Sequence, residues 1–587
     1  MDDSVGTAGT AHVPGLAALA DDASKARIDR RSFLRRAAAL GVSAPAAAAI
    51  LAACGSSTPS SGASGGGSPS SSVKPAAPGG KKGGTLTFGP FADGEDYDPA
   101  TNNFDFPNPP FPSIFEGMTA YVPGQPAGSP AQNLLAEAVE ASPDGRQYHF
   151  TLKQGVEFHG GYGEMTAADV KYSWERNAGL IPLYPGAPKS QTSYYAGDFA
   201  GLQEVKVTGK YTCTAVFKQP FVPFETITLP WTTSGYIFPQ AAVLKYGSLW
   251  GHHPIGTGPY EVVSYTPQSK MVLRKFPNYS GANEKLGAKN WYDEIVINMV
   301  PLNALPKGVA LTVGLQSGQV DFTYNLGALD VNRLRGNSGF RTYEPLAPFD
   351  YYFIAIDVQN PKLKDVRVRQ AIRLALNIPE IITANKLPLS TRQDSLINKQ
   401  IGVGYWAGAP TYTQDVKQAK SLLAAAGVTS LDLQLANPLL AETPGEPSSA
   451  MQVIKANLAQ AGINVTIIET PPTSYVSKAG FGGLAYSYYG GAPDPYYQFE
   501  WFTCSQIGVW NYASWCNPTY SSDENKIAST SATAQRDAIA IEMQKLMDQD
   551  CSYVWLSSAI NFAASNSKTQ AIFDRNGNPL LHYFYST

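Results

Sequence analysis

A chain of 587 residues with 44 basic and 47 acidic side chains has a net charge of only −3, so it lacks the basic surface that nucleic-acid binding requires. Charged residues make up 16%, below the usual quarter, whereas 32 Tyr, 54 Gly and 44 Pro are plentiful. This length exceeds one ordinary core, so two or more lobes are predicted, with recognition surfaces that are aromatic and amide rather than ionic.

The first element is a leader. Arg30 and Arg31 precede an uncharged stretch, Ala37 to Ala53, that is shorter than the roughly 20 residues of a membrane-spanning helix and is interrupted by Gly41, Ser43 and Pro45. A charged start, a short Ala-rich run and small residues before a break are the layout of a secretory signal. Arg30-Arg31-Ser32-Phe33-Leu34-Arg35 resembles a twin-arginine export signal, although Asp29 stands where Ser or Thr is usual. Leu51-Ala52-Ala53-Cys54 resembles a bacterial lipobox, which implies removal of residues 1–53 and a diacylglyceryl group on Cys54. Two acyl chains hold a protein stably where one holds it only marginally. A signal cut elsewhere, leaving a soluble protein, is the alternative. Residues 54–84 are Gly, Ser and Pro with almost nothing to bury, and read as a flexible tether. The predicted location is the outer face of the cytoplasmic membrane, on the cell surface or periplasmic side.

Along the rest of the chain the periodicity is mixed. "KGGTLTFG" and "GRQYHFTLKQGVEFH" alternate as half-buried strands do. "TAADVKYSWERNA" reads as a helix capped by Thr166, with Asp169 at its third position and Val170 and Trp174 on one face. Strands follow at "QEVKVTGKYTCTAVF" and "KMVLRKF". Helical patterns then appear at "LPKGVALTVGLQSGQ", "DVRVRQAIRLALNI", "DVKQAKSLLAAAG", "SSAMQVIKANLAQAG" and "TAQRDAIAIEMQKLMDQ". In "DVRVRQAIRLALNI", Asp365 is expected to cap, Val368, Ile372 and Leu376 to face a core, and Arg367 and Arg369 to pair with acids. This order predicts an α/β chain, strand-rich at first and helix–strand alternating from about Ala347.

Beyond Cys54 the cysteines are Cys213, Cys504, Cys516 and Cys551. Exported thiols tend to oxidise, and Cys504 and Cys516 flank a short Trp-rich loop. A bridge there is predicted, contributing on the order of 3 kcal/mol; the pairing of Cys213 and Cys551 stays open. No CxxC is present, and the only histidine pair, His252-His253, points to opposite sides if extended, so neither a metal nor any other cofactor is predicted.

Several stretches together resemble one family, the peptide/nickel-type (family 5) solute-binding proteins of ABC importers. They are "SPDGRQYHFTLKQGVEFHGGYGEMTAADVKYSWER", "PIGTGPYEVVSY", "NPKLKDVRVRQAIRLALN", "GLQSGQVDF", "AKSLLAAAG", "LAQAGINVTI", "PDPYYQFEWF" and "NYASWCNPTY". The resemblance implies a bilobed α/β fold of the periplasmic-binding-protein type, class II, with a discontinuous first lobe. On that basis lobe 1 with an inserted subdomain spans 85–346, lobe 2 spans 347–557, and 558–587 return to lobe 1. It also implies a monomeric lipoprotein that captures an oligopeptide and delivers it to the permease and ATPase subunits of a transporter. In "GTGPY" the glycines are expected to serve a tight turn with positive φ.

The candidate ligand residues fall in three places. The segment from Tyr486 to Pro518 is dense in aromatics without a helical period, which suits a partly dry cleft, and offers Tyr488, Tyr489, Asp494, Trp501, Trp510 and Asn511. In peptide-binding relatives an acid here takes the ligand's α-amino group; its place in this sequence is Gly491, so the charge partner is absent or shifted to Asp494. The loop "YDPATNNFDFPNPPFPSIFEGM" offers Asn102, Asn103 and Phe104, and "APFDYYFIAID" offers Tyr351 and Tyr352 near the predicted lobe crossing. The missing acid leaves a neutral solute such as an oligosaccharide as an alternative, and a ligand-sensing lipoprotein as another. No G-x-S-x-G, H-E-x-x-H or G-x-x-x-x-G-K-[ST] motif occurs, so an enzyme, such as a glycosidase-like hydrolase using an unmarked acid pair, is not expected.

Overall fold

The computed structural model describes residues 80–90, 96–102, 109–126, 128–299, 307–437, 449–469 and 483–587. The leader, Cys54, the tether up to residue 79, Asn103 and Phe104 lie outside the described residues. The last residues of the expected tether already belong to the fold: Lys81 N–H donates to the Ser586 carbonyl at 3.0 Å and Gly83 N–H to that of Trp291 at 2.8 Å.

The chain enters through β1 (Thr85–Gly89) and then builds β2 (Ala136–Ala141), β3 (Gln147–Leu152), α1 (Ala167–Asn177), β4 (Leu202–Gly209) and β5 (Thr212–Phe217). It returns with β6 (Tyr260–Thr266), β7 (Lys270–Lys275), β8 (Glu294–Asn298), α2 (Lys307–Gln316), β9 (Phe322–Leu326) and β10 (Phe340–Tyr343). It crosses to the second lobe in β11 (Leu346–Ile356), followed by α3 (Val366–Ala375), α4 (Ile378–Ala384), α5 (Val416–Ala425), β12 (Leu431–Asn437), α6 (Ser449–Gln460), β13 (Ile463–Glu469) and β14 (Leu484–Tyr489). Helices α7 (Pro495–Glu500), α8 (Pro518–Ser529) and α9 (Thr533–Asp550) lead to β15 (Tyr553–Ile560), and β16 (Phe562–Asn566) carries the chain back.

Among the described residues, lobe 1 holds a seven-stranded sheet in the order β10-β16-β9-β1-β8-β7-β6, with β1 parallel to both β8 and β9. Its subdomain is the antiparallel sheet β2-β3-β5-β4. Lobe 2 is the sheet β13-β12-β14-β11-β15, parallel through β12 and antiparallel at β11. The lobes are thus joined by two adjacent crossings, tied where Asn561 N–H donates to the Pro345 carbonyl at 3.0 Å.

Local sequence accounts for these elements. In β3 the alternation buries Tyr148, Phe150 and Leu152 and leaves Gln147, His149 and Thr151 outside. Trp174 of α1 packs edge-on against Phe150 at 5.0 Å, and the start of α1 is fixed by the Asp169 carboxylate, which accepts from both the N–H and the hydroxyl of Thr166 at 2.9 Å. In α3, Asp365 caps by accepting the Arg367 N–H at 2.9 Å, and Val368 and Ile372 pack with Ile354 and Ile356 of β11.

Three expectations are corrected. Arg369 pairs with no acid among the described residues; its guanidinium donates to the carbonyls of Leu363, Lys364 and Asp550, because helical turns that end at these residues leave carbonyls unsatisfied. The glycines of "GTGPY" serve close approach rather than positive φ, since a Cβ would lie 2.2 Å from the Ile114 carbonyl oxygen at Gly256 and 2.6 Å from that of Ser113 at Gly258. His252 ends a short 3-10 turn rather than lying in a strand, and His253 stacks on Tyr246 at 4.1 Å. No group of three or more His, Cys, Asp or Glu is placed to hold a metal ion among the described residues.

Candidate functional site

Strand β11 decides which side chains reach the lobe crossing. Alternation sends Tyr351 and Phe353 to one face and Tyr352 and Ile354 to the other, and both faces are covered by lobe 2. Tyr351 is 1% exposed, its ring among those of Phe353, Tyr489 and Trp555. Tyr352 stacks on Tyr486 at 6.1 Å. The predicted cleft wall at Tyr351 is therefore interior. The register against β15 shifts between Ala347 and Tyr351, and this irregularity re-aims Phe349 and Asp350.

Asp350 is a buried acid at the crossing. Its carboxylate accepts from the Tyr488 hydroxyl (2.6 Å), the Asn576 side-chain amide (2.7 Å) and the Gly491 N–H (3.2 Å). Burial pushes its pKa up to about 6, against the pull of those three donors. Asn576 belongs to the returning C-terminal segment, and its carbonyl side-chain oxygen also accepts the Phe349 N–H at 3.0 Å. The turn carrying it is capped by Asp574, whose Oδ1 accepts from the N–H groups of Asn576 and Asn578, both at 2.8 Å. Gly491 is required sterically: a Cβ would stand 2.1 Å from the Phe349 carbonyl oxygen.

On the lobe 1 side, Tyr121, Trp231 and Arg575 form one cluster beside Phe349. Trp231 meets Phe349 edge-on at 5.5 Å, and the Tyr121 hydroxyl donates to the Thr226 carbonyl at 2.8 Å. The Arg575 guanidinium lies 3.7 Å over the Tyr121 ring and donates to the Ser129 carbonyl through two long contacts of 3.3 Å. Its Nε is buried without a hydrogen-bond partner, and burial lowers its pKa.

Asp494, the expected shifted acid, is already engaged. It forms a bidentate ion pair with Arg536 at 2.6 and 2.9 Å, accepts the Thr226 hydroxyl at 2.8 Å and caps α7 through the Tyr496 N–H at 3.0 Å. These contacts hold its carboxyl below the usual range despite complete burial. Asn511 is likewise interior: its amide donates to the carbonyls of Phe502, Thr503 and Trp515, and its oxygen accepts from Tyr553 at 2.8 Å. Those bonds brace the loop closed by the Cys504–Cys516 disulfide, while Cys213 and Cys551 are free and buried. Tyr489 is surrounded by the rings of Phe353, Phe502 and Tyr512 and is core. Tyr488 reaches Asp350, and Trp501 and Trp510, 5.6 Å apart, stay half-buried. Asn102 is 1% exposed, its amide donating to the Asp96 carbonyl and its own carbonyl accepting from Tyr195.

The aromatic segment therefore builds mainly the core of lobe 2, whereas Asp350, Arg575, Asn576, Tyr121 and Trp231 stand at the crossing. The available signal was Asp350, an acid inside the otherwise apolar "APFDYYFIAI", and the turn-forming "DRNGN".

Comparison with known proteins agrees with this architecture. Residues 131–509 match the model for bacterial extracellular solute-binding proteins, family 5, middle region. Di/tripeptide-binding protein 2 of Pseudomonas aeruginosa is 25% identical over 494 residues, covering 80% of this chain and 88% of the relative. The fold is similar to that of the periplasmic binding protein DppA of Helicobacter pylori in complex with a peptide, with a TM-score of 0.69 and 21% identity over 86% of this chain and 98% of that one. It is equally similar to MoaA of A. tumefaciens in complex with mannopinic acid, with a TM-score of 0.69 and 22% identity over 86% and 100% of the two chains. Such proteins are exported binding components of ABC importers, not enzymes. This chain belongs to the family 5 bacterial extracellular solute-binding proteins.

Proposed function

We propose that the solute is a short peptide with a free amino terminus, and that Asp350 takes its ammonium group. The observation that carries this reading is the hydrogen bond between Asp350 and the Gly491 N–H, at 3.2 Å. The carboxylate stands beside the position where peptide-binding relatives place their acid, while Gly491 itself has no room for a side chain. A buried carboxylate with neutral donors alone gains a charge partner when an ammonium arrives. Arg575, whose guanidinium bonds only to a backbone carbonyl among the described residues, supplies the complementary cation for a carboxylate. The di/tripeptide-binding relative supports the same ligand class.

The lobes close because the solute contacts both only when they are shut, so differential affinity drives the motion. Trp231–Phe349 and Thr226–Asp494 are the kind of contacts that such closure makes. Export through the twin-arginine-like leader, lipidation of Cys54 and the tether of 54–79 complete the proposal: a monomer held at the membrane and free to reach the permease. Mass spectrometry of solute released by denaturing protein purified from its native host tests it. Peptides of mixed sequence are expected; a single sugar or other amine-free molecule overturns the reading.

A further inference from the structure

Beside the interlobe contact, lobe 1 holds a partly open cavity of about 70 Å³, which is more than one water needs. It is lined by Glu116, Thr119, Tyr121, Trp231, Tyr236 and Asp574. Thr119 is 9% exposed and its hydroxyl is buried without a hydrogen-bond partner. Glu116 is 1% exposed and, among the described residues, accepts only from neutral groups: Tyr279 (2.7 Å), Thr257 (2.9 Å) and Asn283 (2.9 Å). The cation that acts on it through space, Lys153, donates instead to the Leu134 carbonyl at 2.5 Å. Asp574 is bonded only within its own turn among the described residues. Burial raises the pKa of the Tyr236 phenol, and Asp574 and Glu116 raise it further, so both carboxylates act on the same ring. His582, which also lines the cavity, is kept neutral by burial, its pKa pushed down to about 3.

The cavity thus offers carboxylate oxygens, a hydroxyl and aromatic walls, with no ion-paired cation at either acid among the described residues. That combination suits a desolvated cation: carboxylates accept its N–H groups, and ring faces add cation–π attraction. We propose that this cavity is a subsite for an ammonium group on a side chain of the bound solute, as in a peptide carrying lysine. It rests on the peptide reading above and gives that reading a side-chain preference. Walls shared with the crossing, Tyr121 and Trp231, make it continuous with the place of the main chain. Burial holds Glu116 near pKa 7, so an arriving ammonium drives it to the carboxylate and a proton leaves.

The test uses the full chain and the tripeptides Lys-Ala-Ala, Ala-Lys-Ala and Ala-Ala-Lys, each against its norleucine counterpart, titrated calorimetrically in two buffers of different ionisation enthalpy. At one position lysine is expected to bind about ten-fold tighter than norleucine, as a charged hydrogen bond would give. Proton release is expected with the lysine peptide alone. Glu116→Gln, which keeps an acceptor oxygen for Tyr279 and Asn283, abolishes both effects, and Thr119→Val weakens the preference. Norleucine peptides that bind as well as lysine peptides at every position overturn the subsite and leave the peptide reading standing. Failure of both series, with another solute bound, overturns the peptide reading and the subsite with it.

Discussion

Asp350 and Asn576 join the two lobes by one side-chain hydrogen bond of 2.7 Å, at the point where the chain crosses between them. The carboxylate comes from the first residues of β11 and the amide from the segment that returns to lobe 1. Any solute held by Asp350 is therefore held at the joint between the lobes. Asn576→Ala is expected to slow or weaken closure: small-angle scattering with saturating solute would show a more open protein than the wild type, with lower affinity.

Asp494 and Arg536 behave differently. Removing one member of a buried pair leaves an uncompensated charge, which costs about 3–5 kcal/mol. Asp494→Ala is expected to lower the denaturation midpoint by this order and to weaken free-amine and amine-blocked ligands equally, as read by urea melts and paired titrations. Its depressed pKa sets the sign of the pH effect. Its stability is present above the unfolded carboxylate range and is lost as pH falls into the acid region.

Glu116 has the opposite sign. Its folded pKa of about 7 lies above the ordinary value of 4.5, so between those values the folded state binds the extra proton, and stability declines as pH rises from about 4.5 to about 7. The full decline is roughly 3 kcal/mol at about 1.36 kcal/mol per pKa unit. Glu116→Gln is expected to flatten it in melts run across that range.

The disulfide closes a short loop, its cysteines 12 residues apart. Reduction, or Cys504→Ser with Cys516→Ser, is expected to cost about 2–3 kcal/mol of stability in chemical denaturation. Because Asn511 keeps its five hydrogen bonds, which tie that loop to Phe502, Thr503 and Tyr553 as well as within itself, secondary structure by circular dichroism is expected to persist.

The scaffold was readable where a local rule decides it. Alternation gave β3, the Thr166–Asp169 box gave the start of α1, and the proximity of Cys504 and Cys516 across a Trp-rich loop gave the bridge. The site was less readable, because aromatics that suit a cleft equally suit a core. Tyr351 and Tyr489 are interior through the alternation of β11 and β14, and a register irregularity, which leaves no mark in composition, places Asp350. Arg536, the partner that withdraws Asp494 from ligand binding, lies 42 residues away in sequence. The cavity acids Glu116 and Asp574 are more than 400 positions apart, beyond the reach of any motif.

The central claim is that Asp350 receives a ligand ammonium. Calorimetric titration of wild type and Asp350→Asn with one tripeptide, free and N-acetylated, tests it most directly, because asparagine retains an acceptor for Gly491 and Asn576. The account predicts that wild type prefers the free amine by about a hundred-fold, in line with a buried charge-assisted bond, and that the variant loses this preference. Equal binding of the free and acetylated peptides by the wild type, or a preference unchanged in Asp350→Asn, would contradict it.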